Sequence, residues 1–414
     1  MSNIKSPALA PQGMQKINWV REFMPVLSRI EQRFIKEQPF AGMRITVSVH
    51  AEAKTAYLAM VLRSGGAEVF VTGCNPLSTK DEICAALDFQ GIEVFGWHGC
   101  SNEEYEQHLV QALSCAPHLM IDDGGDLVQL LHGQYSQYAK NLIAGCEETT
   151  TGIHRLRARE TAGQLNFPMF LVNDAQSKYL FDNIHGTGQS VWDGIMYTTN
   201  NMISGRTVVV AGYGRCGRGI ASRAKGLNAN VIVTEIDPHC CLSAAMDGYR
   251  VMTMAEAAPL GDIFITSTGC NDVITREHMA EMKNNVLLAN AGHFDVEINK
   301  EHLAENAVKI DERKPFIRGY YQNDGRILNL LADGRLVNIV AGNGHPAEIM
   351  DLSFALQALS LEYIALNKNN LEKRLYDVPT KIDNEVARIK LEAMGLGLDV
   401  LTEEQMAYMS GMGE

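Results

Sequence analysis

The sequence predicts an α/β protein made of two parallel-sheet units, and three observations carry that prediction. Between about residues 43 and 175, short runs rich in Val, Ile and Phe alternate with helical stretches, the pattern of a largely parallel sheet whose strands are joined through helices. From residue 206 a second series of the same kind begins, and its first strand runs into "GYGRCG". At 414 residues the chain is also too long for one core, which suggests two or three domains.

Residues 15–36 place Ile17, Val20, Phe23, Leu27, Ile30 and Phe34 at helical spacing, so one helix is expected there, kinked by Pro25. Strands follow at 43–49, 67–73, 92–97 and 118–125, with helices at 53–64 and 79–89 among them. A further strand, 167–175, ends in polar residues. Ligands of such sheets collect beyond the carboxyl ends of the strands, which makes His50, Asp123 and Asn173 candidates for function. The helical stretch 189–203 joins this series to the second, whose strands read "RTVVVAGYG", "NVIVTEID", "YRVMT", "DIFITST" and "NVLLANAG". Beyond residue 345, "HPAEIMDLSFALQALSLEYIAL" reads as one long amphipathic helix, and a polar tail holds another at 383–394. Near the end, Thr402 and Gln405 have capping-box spacing. No internal repeat or low-complexity tract interrupts the pattern.

Composition narrows the function. A net charge of −13 without any dense run of Lys or Arg argues against nucleic acid or an anionic membrane as partner. No apolar stretch reads as long enough to span a bilayer, and "MSNIKSPALAPQG" lacks the apolar region of a signal peptide. A cytoplasmic enzyme acting on a small molecule is expected. The nine cysteines are odd in number and form no C-x-x-C pair, so reduced thiols are expected rather than disulfides; a bond between the adjacent Cys240 and Cys241 would be strained. The twelve histidines show no metal-type pairing, so no metal site is expected.

Gly212, Gly214 and Gly217 stand between a strand and a helix in the order G-x-G-x-x-G, with Glu235 23 positions beyond the first glycine. That context makes the motif strong. A carboxylate there accepts hydrogen bonds from the adenosine ribose and repels a 2′-phosphate, which favours NAD over NADP. Arg215 and Cys216, inside the loop, are expected to touch the cofactor through their backbone only. Taken alone, the loop points to a dehydrogenase.

Other motifs change that reading. "DDGGD" (122–126) and "EETTTG" (147–152) place paired acids and hydroxyls at strand ends, and "VNDAQSKYLFDN" (172–183) adds Asn173, Lys178, Asp182 and Asn183. Lys178 and Asp182 lie one helical turn apart, and a lysine beside carboxylates in a partly dry cleft has a tunable proton affinity. His50, His293 and His345 stand in comparable places; each by itself is more often a structural histidine than a catalyst. Together these groups suggest a polar pocket for a polyhydroxylated substrate.

The strings "NPLSTKD", "DDGGDL", "EETTTG", "KYLFDN", "AGYGRCGRGIA", "TEIDP", "STG", "NAGHFDVEI", "GRLVN" and "GHPAEIMDLSF" resemble, in order and over nearly the whole chain, the S-adenosylhomocysteine hydrolase family. "HAEAKTA" and "GTGQSVWDGI" look like its shorter archaeal and thermophilic-bacterial branch. The resemblance implies one tightly bound NAD per subunit that oxidises the substrate ribose at C3′. Loss of the C4′ proton, expulsion of homocysteine from C5′, addition of water and return of the hydride then give adenosine and L-homocysteine. It implies a Rossmann-type NAD domain (190–343) inserted into an α/β substrate domain (1–185 with 346–378), hinges at 184–190 and 341–346, and a short helical tail (379–414) that joins subunits into a dimer or tetramer.

Residue by residue, the resemblance implies that Glu148 and Lys178 engage the ribose hydroxyls and that Asp123 and Asp182 support C4′ proton transfer. His50 and His293 serve the 5′ end, and Asn183 positions Lys178 and the nicotinamide. Glu52, Lys54, Thr55 and His345 bind the substrate base, His345 also gating the hinge. Thr149, Thr150, Thr151, Asn183, Thr268, Ala291, Gly292, His293, Asn338 and His345 line NAD with Glu235 and the glycine loop, Arg215 and Cys216 included. Three positions depart from the animal-type pattern: Thr187 stands for a cysteine, Cys240 for an asparagine, and Lys54 for the Glu or Gln that reads the adenine amino group. Lys54 leaves S-inosylhomocysteine as an alternative substrate. A non-catalytic NAD- and nucleoside-binding homologue is the reading from another class.

Overall fold

The computed structural model describes residues 1–411, and the last three positions of the expected 379–414 tail lie outside them. The apolar runs of the first series form β1 (Arg44–Ser48), β2 (Glu68–Thr72), β3 (Glu93–Phe95), β4 (Leu119–Asp122), β5 (Ala144–Glu147) and β6 (Met169–Leu171). The second series forms β7 (Thr207–Ala211), β8 (Asn230–Thr234), β9 (Arg250–Val251), β10 (Ile263–Thr266) and β11 (Val286–Asn290), followed by β12 (Ala307–Lys314), β13 (Ile317–Gln322) and β14 (Ile327–Leu331). A last strand, β15 (Leu375–Asp377), follows the helix Ala347–Leu366.

Among the described residues these strands make two sheets, in the orders β15-β6-β5-β4-β1-β2-β3 and β12-β13-β14-β11-β10-β7-β8-β9. The first is parallel throughout. In the second, of Rossmann type, β7 to β11 and β14 run parallel while β12 and β13 form an antiparallel edge. The chain completes β1–β6, passes through β7–β14, and returns to the first sheet with the helix Ala347–Leu366 and β15. The parallel part of each sheet reverses its strand order, between β1 and β4 in the first and between β7 and β10 in the second. Such a switch point opens a crevice at the carboxyl ends of the strands.

Three expectations are corrected. The expected single helix at 15–36 is two, Ala10–Glu22 and Pro25–Glu37. Met24, held out of helical geometry before a proline, ends the first, and Pro25 opens the second where its missing N–H costs nothing. The Asp351 carboxylate then accepts from Val26 N (3.2 Å) and Leu27 N (2.9 Å), satisfying two orphan donors of that helix.

Ala347–Leu366 is not amphipathic. Nearly every residue from Asp351 to Ala365 is buried, because the helix is covered by Pro25–Glu37, Ala53–Ser64, the tail helix Thr380–Ala393 and β5. By length and composition it also qualifies as a membrane span, contrary to the sequence expectation; its surroundings make it the core helix of the first sheet. The capping box at Thr402 and Gln405 is present.

Candidate active site

At the first switch point Ser48 of β1 pairs with Asp122 of β4, which brings His50 and Asp123 together just beyond the strands. His50 Nδ1 lies 2.6 Å from Ser78 Oγ, and its Nε2 lies 3.6 Å from Asp123 Oδ2. His293, which follows β11 of the other sheet, places Nδ1 3.9 Å from Asp123 Oδ1. The Cys74 thiol, at the end of β2, donates to Asp123 Oδ2 at 3.4 Å. Burial pushes the His50 ring down to about 4, against the pull of Asp123, so it is neutral at physiological pH.

The two acid pairs divide their labour. Asp122 and Glu147 are register partners on β4 and β5, and both turn into the core. Asp122 Oδ2 accepts from Val128 N at 2.9 Å. Glu147 Oε1 accepts from Gly124 N and Thr149 N at 2.9 and 3.0 Å, fixing the two acidic loops to each other. Burial raises Asp122 to about 7 and Glu147 in the same direction. Asp123 and Glu148, one residue on, face the cavity.

Lys178 is the hub of a second cluster. Its Nζ donates to Asp182 Oδ1 (3.0 Å) and Asn183 Oδ1 (2.9 Å) and lies 3.5 Å from Glu148 Oε1. Asn183 Nδ2 donates to Asn173 Oδ1 at 3.2 Å, and Asn173 Nδ2 to Thr150 Oγ1 at 3.0 Å. Asp182 and Asn183 ride on the wide helical turn Tyr179–Gly186, wound with π-type spacing, a departure that clusters at functional sites. The tail helix holds this segment in place: Asp383 accepts from Gln176 N at 2.7 Å and Ser177 N at 2.9 Å.

Burial disfavours the Lys178 ammonium, but Asp182 and Glu148 outweigh it and the amine stays charged. Burial also opposes the Asp182 charge, yet Lys178 and His345 hold its carboxyl well below the usual range; His345 Nδ1 stands 3.1 Å from Asp182 Oδ1. Glu148 accepts from Gln357 Nε2 at 2.6 Å, and burial carries it up to about 7. One cation therefore stabilises one firmly ionised carboxylate while a second titrates near neutrality.

At the second switch point the glycine loop has the shape a pyrophosphate requires. Gly212 has φ +93°, a Cβ on Gly217 would lie 1.9 Å from Gly212 O, and a Cβ on Gly214 would meet nothing within 4 Å. The loop thus packs tightly on one side and lies open on the other, where the helix Arg215–Gly226 begins. Glu235, at the end of β8, accepts from Tyr213 N of this loop at 2.6 Å. The "STG" and "NAGHFD" loops are tied by Glu297, which accepts from Thr268 N, Thr268 Oγ1 and Gly269 N at 2.9, 2.7 and 2.9 Å. Buried Asn338 donates to Ser190 Oγ at 3.1 Å and keeps an unpartnered Oδ1. These features fit a dinucleotide.

The carboxyl edges of both sheets meet at a cavity of about 140 Å³. It gathers His50, Glu52, Thr55, Asp123, Glu148, Thr149, Thr150, Lys178, Asp182, Asn183, Cys216, Ala291, His293, Asn338 and His345. Thr187 also lines it, 3.2 Å from His345 Nε2. Thr151, Gly212, Gly214, Arg215, Gly217, Glu235, Thr268 and Gly292 do not. The Arg215 guanidinium lies over the Tyr179 ring at 3.7 Å and donates to Asn173 O at 3.3 Å. Cys240 sits in the helix after β8, its N–H donated to Asp237. Lys54 borders a second, adjoining cavity, and its Nζ is held by Asn343 O (2.8 Å) and Glu52 Oε2 (2.9 Å). Among the described residues all nine cysteines are free.

Sequence reading missed Ser78, Cys74, Glu297, Asp383, and the pair Ser353 and Gln357, which bond Asp182 and Glu148. Ser353 and Gln357 did carry a signal, polar residues four apart inside an apolar run.

The family model for S-adenosyl-L-homocysteine hydrolase matches residues 2–143, and the model for the NAD binding domain of that enzyme matches residues 183–344. The chain is 53% identical to the adenosylhomocysteinase of Pyrococcus abyssi, over 98% of this chain and 96% of that one. It is 52% identical to the S-inosyl-L-homocysteine hydrolase of Methanopyrus kandleri, over 99% and 97%, and 51% identical to the protein of the same name from Methanocaldococcus jannaschii, over the full length of both. The chain belongs to the S-adenosyl-L-homocysteine hydrolase family, and its cofactor is NAD.

Proposed function

We propose that the protein catalyses the reversible hydrolysis of S-adenosyl-L-homocysteine to adenosine and L-homocysteine. The observation that carries this reading is the pairing, in one cavity, of the Lys178–Glu148–Asp182 cluster with the His50–Asp123–His293 cluster, beside a dinucleotide loop. A plain alcohol dehydrogenase needs only the first.

The glycine loop, Glu235, Thr268, Asn338 and the Thr149–Thr151 turn would hold NAD⁺, which when bound would supply a reversible hydride acceptor for ribose C3′. The Lys178 ammonium donates to the 3′-oxygen and assists its deprotonation, while Glu148, poised near 7, takes the hydroxyl proton. A ketone at C3′ acidifies the C4′ hydrogen, and Asp123 and Asp182 support its transfer. At C5′ the neutral His50 takes a proton from the incoming water, and His293 protonates the departing homocysteine sulfur. Asn183 keeps Lys178 aimed. Glu52, Thr55 and His345 hold the base, with Lys54 bracing Glu52 and the 343 carbonyl.

On this reading residues 1–185 and 346–378 bind substrate, 190–343 bind NAD, and the 184–190 and 341–346 crossings act as hinges that close the cleft against water. The tail from 379 joins subunits into a dimer or tetramer, which the exposed Leu396, Leu398, Val400, Leu401, Met406 and Met409 support. The enzyme works in the cytoplasm, consistent with its free thiols.

Incubating NAD-loaded protein with S-adenosyl-L-homocysteine and trapping the freed thiol tests the proposal; absence of thiol release overturns it. The relatives named for S-inosyl-L-homocysteine favour that substrate as the second reading, decided by comparing kcat/KM for the two.

A further inference from the structure

The ends of β1, β2 and β4 bring three unlike donor atoms to one point that no spacing in the sequence announces. His50, Cys74 and Asp123 offer a ring nitrogen, a sulfur and a carboxylate oxygen, all within 4.8 Å of one another. The edges of this triangle are informative. His50 Nε2 and Asp123 Oδ2 are 3.6 Å apart, and Cys74 Sγ and Asp123 Oδ2 are 3.4 Å apart. A tetrahedral ion with zinc-type bond lengths sets a nitrogen and an oxygen ligand about 3.4 Å apart and a sulfur and an oxygen about 3.6 Å apart. The observed edges match these to about 0.2 Å.

The surroundings complete the pattern of a metal-binding histidine. Ser78 Oγ gives its single hydrogen to Asn75 O at 3.1 Å, so it accepts from His50 Nδ1 at 2.6 Å. That arrangement leaves the Nε2 lone pair aimed at the other two donors. His293 Nδ1, 3.9 Å from Asp123 Oδ1, lies outside this group, so a tetrahedral ion takes water as its fourth ligand. Asp182 and Glu148 add negative potential nearby against the single Lys178 charge.

We propose that this cluster binds one thiophilic divalent cation of the Zn²⁺ class through His50 Nε2, Cys74 Sγ and an Asp123 oxygen. Uptake forms a metal–sulfur bond and releases the thiol proton to solvent, with no change of oxidation state. The ion occupies the 5′ end of the cavity and blocks turnover. That inhibition rests on the hydrolase reading above; the binding does not.

The test uses the full-length, NAD-loaded protein, stripped with chelator and titrated with Co²⁺ as the probe. One equivalent should bind with a thiolate-to-cobalt charge-transfer band in the near ultraviolet and tetrahedral bands in the visible, displaced by Zn²⁺. Cys74→Ser should abolish the charge-transfer band and weaken Zn²⁺ binding by at least ~10-fold in equilibrium dialysis, whereas Cys100→Ser should change neither. Zn²⁺ should also protect Cys74 of the unmodified chain from alkylation, mapped by mass spectrometry, which covers the case of a variant that does not fold. Binding without the sulfur band, a band that persists in Cys74→Ser, or unprotected Cys74 overturns the proposal. Metal binding in a protein that releases no thiol from substrate would refute the hydrolase reading and leave this one standing.

Discussion

Gly124→Ala is a sharp test of how the two sheets share one site. Gly124 has φ +111°, and a Cβ there would lie 2.4 Å from His293 Nε2. Ordinary contact begins near 3.4 Å, so the imidazole must shift by about 1 Å from the added methyl, and a misplacement of that size costs on the order of 10²-fold in rate. The backbone adds its own penalty, above about 1 kcal/mol, because alanine resists positive φ. Lys178, Asp182 and Glu148 are not touched by the added methyl. In the variant, thiol release from S-adenosyl-L-homocysteine should therefore fall ~10²-fold, while reduction of bound NAD⁺ by added adenosine, read from the nicotinamide absorbance in a single turnover, stays within about 3-fold. The reasoning fails if folded, NAD-loaded variant loses both steps together, or if thiol release is unchanged.

Lys178→Ala should lower kcat by ~10²–10⁴-fold with NAD still bound; unchanged turnover in a steady-state assay would remove Lys178 from the chemistry. Asp122 rises on folding from 3.8 to about 7, so its neutral form stabilises the fold below pH 4 and that contribution is lost as pH rises through 7, by up to about 4 kcal/mol. Asp122→Asn should accordingly gain on the wild type in thermal melts at pH 8 relative to pH 5, and equal pH slopes would contradict the assigned burial. Gly217→Ala drives a Cβ to 1.9 Å from Gly212 O and should weaken NAD binding by at least ~10-fold in a fluorescence titration. Lys54→Gln removes the contact to Asn343 O, a charged hydrogen bond of about 1.5–3 kcal/mol; KM should rise alike for S-adenosyl and S-inosyl substrates, and a switch of preference would place Lys54 on the base instead.

Most of the parallel scaffold was legible because β1, β2, β4, β7, β8, β10 and β11 are dense in Val, Ile and Leu, as strands covered on both faces must be. The antiparallel edge escaped notice since β12, "AVKIDERK", is polar on most positions, and β15 is three residues in a polar tail whose pairing with β6 depends on the chain's return. Within the site, residues attached to a motif were found, and those that act by reaching across from elsewhere were not. Asp383 lies over 200 positions from the backbone it caps, and Cys74 has no local partner pattern at all. The acid pairs show the limit well: "DD" and "EE" announce four carboxylates, but only the register of β4 on β5 reveals that Asp122 and Glu147 turn inward.

The facing switch points explain why a glycine loop of dehydrogenase type need not mean a dehydrogenase. A crevice at one switch point suffices to hold a dinucleotide, and the second sheet supplies that alone. Here the first sheet sets its own switch point against it, so Asp123 comes within 3.9 Å of His293 from the opposite sheet, and His345, just before the returning helix, reaches Asp182 at 3.1 Å. On the proposed mechanism the carbon that loses a hydride, C3′, and the carbon that loses a sulfur, C5′, are separated by one carbon, and the two clusters line one cavity. On the proposed reading, a cleft that closes would shield both centres together from bulk water. On that reading, net hydrolysis rather than net oxidation depends on the contacts that hold His345 to Asp182 and His293 to Asp123 across the two sheets.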